Sequence, residues 1–259
     1  MDKKLKIALA QLNPLVGDVT GNVDKLITIR SGLSDDVDIL VAPELYVSGY
    51  PIDDLVLRED FLTLVEKEID KLKENTKDNK SAIIVGAPRK DKKRIKNSVF
   101  VIENGEIISI KDKYELPNTG VFDEQRIFKQ GPLEDCVTIK GVKFGLPICE
   151  DIWEKTVLEK LSKSGAEIII AINASPFTVS KNDEREKITS QRVKETKLPI
   201  VYLNRTGGQD ELIFDGSSFA LNHNGEKFYS SSEFKEETSE INFNKTNGKW
   251  LGNGNLNDS

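Results

Sequence analysis

Three polar residues of complementary chemistry each close a short apolar run: Glu44 ends DILVAPE (38–44), Lys113 ends KNSVFVIENGEIISIKDK (96–113), and Cys149 ends KFGLPIC (143–149). A polar residue at the end of a strand is how an α/β scaffold commonly presents a reactive group, because the sheet fixes it while the following loop shapes a pocket. Most free cysteines are small buried hydrophobes, and Cys136, inside the alternating segment EDCVTIK, reads that way. Cys149 lies between Leu146-Pro147-Ile148 and Glu150-Asp151, at a strand-to-helix corner where backbone N–H groups of the next turn can stabilise a thiolate. A thiol of pKa about 8.5 is only a few per cent ionised at neutral pH and needs a base or a cation beside it. The chain has one histidine, His223, and its turn sequence NHNGE reads as solvated. A carboxylate and a lysine must therefore do the work of an imidazole. Glu44 in a partly dry pocket would have its proton affinity raised and serve as base, then acid. Lys113 would hold the thiolate and then an oxyanion, a contribution of ~3–4 kcal/mol per donor. Taken singly, Glu44 or Lys113 would be a surface charge; the combination points to thiol attack on a carbonyl.

The elements that must position these residues follow from hydrophobic periodicity. KIALAQL (6–12) and DILVAPE (38–44) read as buried strands joined by a helix carrying Val23, Leu26 and Ile27, and a second helix over about 59–74 precedes the strand AIIVGAP (82–88). Asn104-Gly105 between two β-rich runs predicts a hairpin, as does Asn224-Gly225 within 217–230. Segments 142–151, 166–176 and 198–204 read as strands separated by helices at about 152–163 and 183–197. This order predicts an α/β layered domain. Residues 1–230 form the expected domain; 231–259, rich in Asn, Gly and Ser, reads as a polar extension, partly flexible, with Trp250 docking on the rest.

Composition removes several function classes. With 37 basic against 43 acidic residues and a net charge of -6, generic nucleic-acid binding is disfavoured. The longest apolar stretch, IIIAI (168–172), is far short of the ~18–20 residues that a bilayer span requires, so no membrane association is expected. The amino-terminal MDKKLKIALAQLNP has too short an apolar portion for a secretory core, and a cytoplasmic location is the expectation. Two cysteines cannot make a disulfide framework, and one histidine removes most zinc sites, so no metal is expected.

With these residues in view, the chain resembles the nitrilase, or carbon–nitrogen hydrolase, superfamily. Five ordered blocks carry the resemblance: APELYVSGYPIDDLVLREDF (42–61), KYELPNTGVFDEQRIF (113–128), GLPICEDIW (145–153), NASPFTVSKNDERE (173–186) and NRTGGQDELIFDGSSF (204–219). They look most like the amino-terminal glutaminase domains of glutamine-dependent NAD⁺ synthetases. The resemblance implies a four-layer αββα sandwich with mixed sheets. It implies Glu44 as general base, Lys113 as oxyanion and thiolate stabiliser, Cys149 as nucleophile, and Glu124 as a second glutamate orienting the lysine and the substrate amide. For L-glutamine it implies Tyr50, Thr119, Phe122, Glu150, Trp153, Ser175 and Lys181 as pocket residues, with Thr119 replacing the aromatic of the usual LPNYGVFDE. An ammonium group and a carboxylate call for opposite charges, which Glu150 and Lys181 supply.

The glutaminase step needs no cofactor; ATP and Mg²⁺ would belong to a synthetase domain, whose SGGxDS phosphate loop is not among these 259 residues. GGQDE (207–211) lacks the final serine and belongs to the glutaminase block. The expected partners are a NAD synthetase domain or subunit as ammonia acceptor, and further copies of the chain in a homo-oligomer. Two other readings stay open: an amidase acting alone on another ω-amide, and an inactive partner subunit.

Overall fold

The computed structural model describes residues 3–118 and 123–257. Its first strand shows how the sequence builds layers: in β1 (Lys3–Gln11) Leu5, Ile7 and Leu9 point into one apolar core, while Ala8 and Ala10 point into another. Helix α1 (Val19–Ser31) leads to β2 (Ile39–Val41), and α2 (Glu59–Asn75) leads to β3 (Ala82–Asp91); the three strands are parallel. Next, β4 (Arg94–Glu103) and β5 (Glu106–Asp112) continue the sheet antiparallel, and both residues of the expected Asn104-Gly105 turn have positive φ, 52° and 82°.

After the one-turn helix α3 (Glu124–Ile127), β6 (Val137–Ile139) and β7 (Val142–Gly145) open a second sheet. Helix α4 (Lys155–Lys163), β8 (Ile168–Asn173), α5 (Lys181–Thr196) and β9 (Ile200–Asn204) follow, with β7, β8 and β9 parallel. A hairpin of β10 (Thr206–Gln209) and β11 (Leu212–Asp215) stands apart, and β12 (Phe219–Leu221) and β13 (Lys227–Ser230) complete the six-stranded sheet. Finally β14 (Glu237–Thr246) and β15 (Lys249–Asn253) return to the first sheet, which has the order β15-β14-β1-β2-β3-β4-β5.

The layers are αββα. Ile7, Val41, Ile84 and Val101 of the first sheet meet Phe144, Ile170, Val201 and Ala220 of the second in the central core. Helices α1 and α2 cover the outer face of the first sheet through Val23, Leu26, Leu62 and Val65. Helices α4 and α5 cover the second through Leu158, Leu161 and Val193. No helix among the described residues is long and apolar enough to cross a membrane.

The segment read as a polar, partly flexible extension is different in the structure. β14 pairs with every residue of β1, from Lys3 opposite Lys245 to Gln11 opposite Glu237. Its Ile241 and Phe243 are fully buried in the central core, and Trp250 of β15 joins them while its indole N–H donates to Glu167. The strand escaped notice because its other face, with Thr238, Glu240 and Asn242, meets solvent and dilutes the apolar signal. Phe243→Ala should therefore lower the unfolding free energy by about 3–5 kcal/mol, while Asn242→Ala changes it by less than about 0.5 kcal/mol, as read by urea denaturation.

Candidate functional site

Glu44 lies three residues past the end of β2, and its place depends on a close approach of two backbones. Gly86 in β3 donates its N–H to Pro43 O (3.1 Å) and accepts from Val47 N (3.1 Å). A Cβ at Gly86 would lie 2.3 Å from Leu45 N and 2.5 Å from Pro43 O, so only glycine lets the loop sit down on the strand. The Glu44 carboxylate is fully buried. Its Oε1 accepts from Lys113 Nζ (2.7 Å) and Asn97 Nδ2 (2.8 Å), and its Oε2 accepts from Ala174 N (2.9 Å), just past β8. That last bond joins the ends of strands from the two sheets.

Lys113 directly follows β5. Its backbone is fixed by Lys113 N to Asn97 O and by Gly131 N to Lys113 O, both 2.8 Å. Its buried ammonium contacts two carboxylates, Glu44 at 2.7 Å and Glu124 Oε1 at 2.9 Å. Burial works against this cation, but Glu124 and Glu44 more than offset it and hold Lys113 well above the usual lysine range. Glu124 opens α3; burial, helped by Glu44 and opposed by Lys113, pushes its carboxyl up to about 7. Tyr50 OH donates to the same Oε1 (3.1 Å), while Glu124 Oε2 is buried without a partner.

Cys149 comes four residues past β7 and opens a short 3₁₀ turn that Trp153 ends. Its φ of 47° is a left-handed conformation that a residue with a Cβ adopts at a cost of ~1–2 kcal/mol. Burial and then Glu44 push the thiol well above its ordinary value, while Lys113 pulls it back, so its ionisation responds to both neighbours. The corner is latched by Asp151. Its Oδ2 accepts from Ile148 N (2.9 Å), and its Oδ1 accepts from Tyr114 N (3.1 Å) and Glu115 N (2.7 Å). One carboxylate thus ties the turn bearing Cys149 to the segment bearing Lys113.

The other expected residues divide. Tyr50 is buried and reaches Glu124, as above. Glu150 is half-buried; burial raises its pKa, and Lys113 and Lys181 pull it down. Lys181 stands 4.3 Å from the Trp153 ring centre and 3.2 Å from Glu184. Ser175 is buried, its N–H donating to Asn204 Oδ1 (2.9 Å) and its Oγ accepting from Arg185 Nε (3.1 Å), so its exposed neighbour Phe177, not its hydroxyl, faces solvent. Thr119 and Phe122 lie outside the described residues. Cys136 pairs with Ser164 at the start of β6, and His223 is half-buried in the β12–β13 turn. Sequence reasoning missed Asn97, Asp151 and Arg185. Asn97 had a readable signal, a polar side chain within the apolar run of β4; Arg185, fully buried against Asp215 at 2.7 Å, lay in a charged helix that offered none.

Two stacked mixed sheets with helices outside, and a buried acid–amine cluster at the strand ends next to a strained cysteine, are the frame of a hydrolase. The chain belongs to the carbon–nitrogen hydrolase family, whose model matches residues 6–247. It is 36% identical over 251 residues to a glutamine-dependent NAD(+) synthetase of Rhodobacter capsulatus, covering 96% of this chain and 45% of that protein. To the glutamine-dependent NAD(+) synthetase of Aquifex aeolicus it is 38% identical over 234 residues, covering 90% and 41%. Among solved structures, the glutamine-dependent NAD+ synthetase of Acinetobacter baumannii superposes with a TM-score of 0.90 at 34% identity, over 99% of this chain and 48% of that one. A carbon–nitrogen hydrolase of Helicobacter pylori, at 20% identity and a TM-score of 0.83, covers 93% and 89% and shares the fold. The chain spans about half the length of the curated relatives it matches.

The raised Glu124 carboxyl has a consequence for stability. Because the folded state holds this proton more tightly than the unfolded chain, its contribution is present at low pH and is lost as pH rises from about 4.5 to about 7. Glu124→Gln should flatten that part of the stability profile, as measured by urea unfolding at pH 5 and pH 7.5.

Proposed function

We propose that this chain is a thiol glutaminase that releases ammonia from L-glutamine for an ATP-dependent NAD⁺ synthetase domain or subunit. The observation that carries the reading is the buried Glu44–Lys113–Glu124 cluster, whose charges act on Cys149, in a chain similar to glutamine-dependent NAD(+) synthetases. Cys149 Sγ attacks the side-chain amide carbon of glutamine as Glu44 takes the thiol proton. The ammonium of Lys113 spends two N–H groups on Glu44 and Glu124, which leaves a third for the oxyanion. Glu44 then gives its proton to the amide nitrogen, the C–N bond breaks, and ammonia leaves a glutamyl thioester. Water attacks that thioester as Glu44 accepts its proton; the tetrahedral species collapses, the sulfur recovers the proton, and glutamate departs.

Glu124 Oε2, buried and unpartnered, is available to accept an N–H of the substrate amide before reaction. Glu150 and Lys181, near enough for Lys181 to act on the Glu150 carboxyl, suit the ammonium and carboxylate of an amino acid. ATP and Mg²⁺ have their role on the synthetase side, and a cytoplasmic homo-oligomer is part of this reading.

Glutamate release from glutamine tests it. Cys149→Ala should lower kcat by roughly a thousandfold or more. Lys181→Ala should raise KM by about tenfold with a smaller change in kcat, the signature of lost ground-state binding. A wild-type chain no faster than Cys149→Ala, or one that prefers other ω-amides to glutamine in a substrate panel, would overturn the assignment.

A further inference from the structure

Arg205, directly after β9, is a fully buried guanidinium that forms no ion pair with a carboxylate among the described residues. Its donors go to neutral oxygens: Nη1 to Tyr50 O (2.5 Å), Nη2 to Asn13 Oδ1 (2.9 Å) and Pro14 O (3.3 Å), and Nε to Thr206 O (3.3 Å). The guanidinium carbon lies 4.3 Å from the centre of the Phe214 ring, in β11. Burial lowers its pKa to about 10. A buried cation without a counter-charge is expensive, and an apolar side chain of similar volume usually serves packing at least as well. What the arginine does that an apolar residue would not is bond these four oxygens, and the shortest of the bonds grips Tyr50.

Tyr50 is held at three points. Arg205 takes its carbonyl, Phe214 meets its ring edge-on at 6.3 Å, and its phenol donates to Glu124 Oε1. Glu124 in turn contacts the ammonium of Lys113 through that same oxygen. We propose that Arg205 is a positioning residue of the hydrolytic site: it fixes Tyr50 so that the phenol aims Glu124, and thereby Lys113, at the reacting amide. The substrate half of this statement rests on the glutaminase reading; the coupling of Arg205 through Tyr50, Glu124 and Lys113 to Cys149, on which the Lys113 charge acts, does not.

The test is a double-mutant cycle on the full chain with Arg205→Met and Tyr50→Phe, read as glutamate release and, in parallel, as the rate of Cys149 alkylation by iodoacetamide. Arg205→Met is expected to lower kcat about 30-fold with KM within about threefold. In that background Tyr50→Phe should add less than about threefold, against about tenfold in the wild type, because the phenol is no longer aimed. Arg205→Lys, which keeps the charge with fewer donors, takes the place of the methionine variant if that one does not fold. Fully multiplicative losses overturn the proposal, as does a fall in kcat matched by an equal fall in folded protein by circular dichroism. A wild type that releases no glutamate, yet shows the same coupling in alkylation, leaves Arg205 in its role and removes only glutamine as substrate.

Discussion

One ammonium between two buried carboxylates is the constraint on which the rest of this architecture turns. Lys113, Glu44 and Glu124, all three buried, together set one cation against two acids. Such a cluster tolerates little displacement, because any separated member becomes an unpaired buried charge. The scaffold answers with neutral hydrogen-bonding groups instead of further charges. Ala174 N and Asn97 hold Glu44, and Asn97 also accepts from the Lys113 backbone. Burial raises both the Glu124 carboxyl and the Cys149 thiol, and the Glu44 charge adds to each while Lys113 opposes it.

The site draws on both sheets at once. Glu44 follows β2, Lys113 follows β5, Cys149 follows β7, and Ala174 follows β8; the bond from Ala174 N to Glu44 Oε2 and those from Tyr114 and Glu115 to Asp151 cross from one sheet to the other. The central apolar core therefore does more than stabilise. By fixing the spacing of the two sheets, it fixes the separation of groups that no local segment could bring together.

Much of this was legible in the sequence, for physical reasons. A polar residue that ends an apolar run is conspicuous, and Glu44, Lys113 and Cys149 all have that form. The Asn104-Gly105 hairpin was equally plain, because both residues accept a left-handed backbone. Its neighbour, the β3–β4 hairpin, turns through Lys92-Lys93 with Lys92 at φ 58°, and the Asp210-Glu211 turn between β10 and β11 likewise lacks a glycine or asparagine. Neither pair has the Asn-Gly or Asp-Gly signature of a two-residue hairpin turn. The illegible part of the site is its supporting layer. Asp151 serves backbone amides 36 and 37 residues away, and Arg205 serves a carbonyl 155 residues away; nothing near either residue in the chain reveals such a duty.

The pairing of β1 with β14 has a temporal side. Strand β1 finds its antiparallel neighbour only after more than two hundred further residues have been made, although its parallel neighbour β2 arrives early. Until then, one whole hydrogen-bonding edge of β1 stands open, with Leu5, Ile7 and Leu9 beside it. Closure of so long a loop is slow and comes late, so the nascent chain has a prolonged interval in which an edge-to-edge encounter with another molecule competes with its own completion.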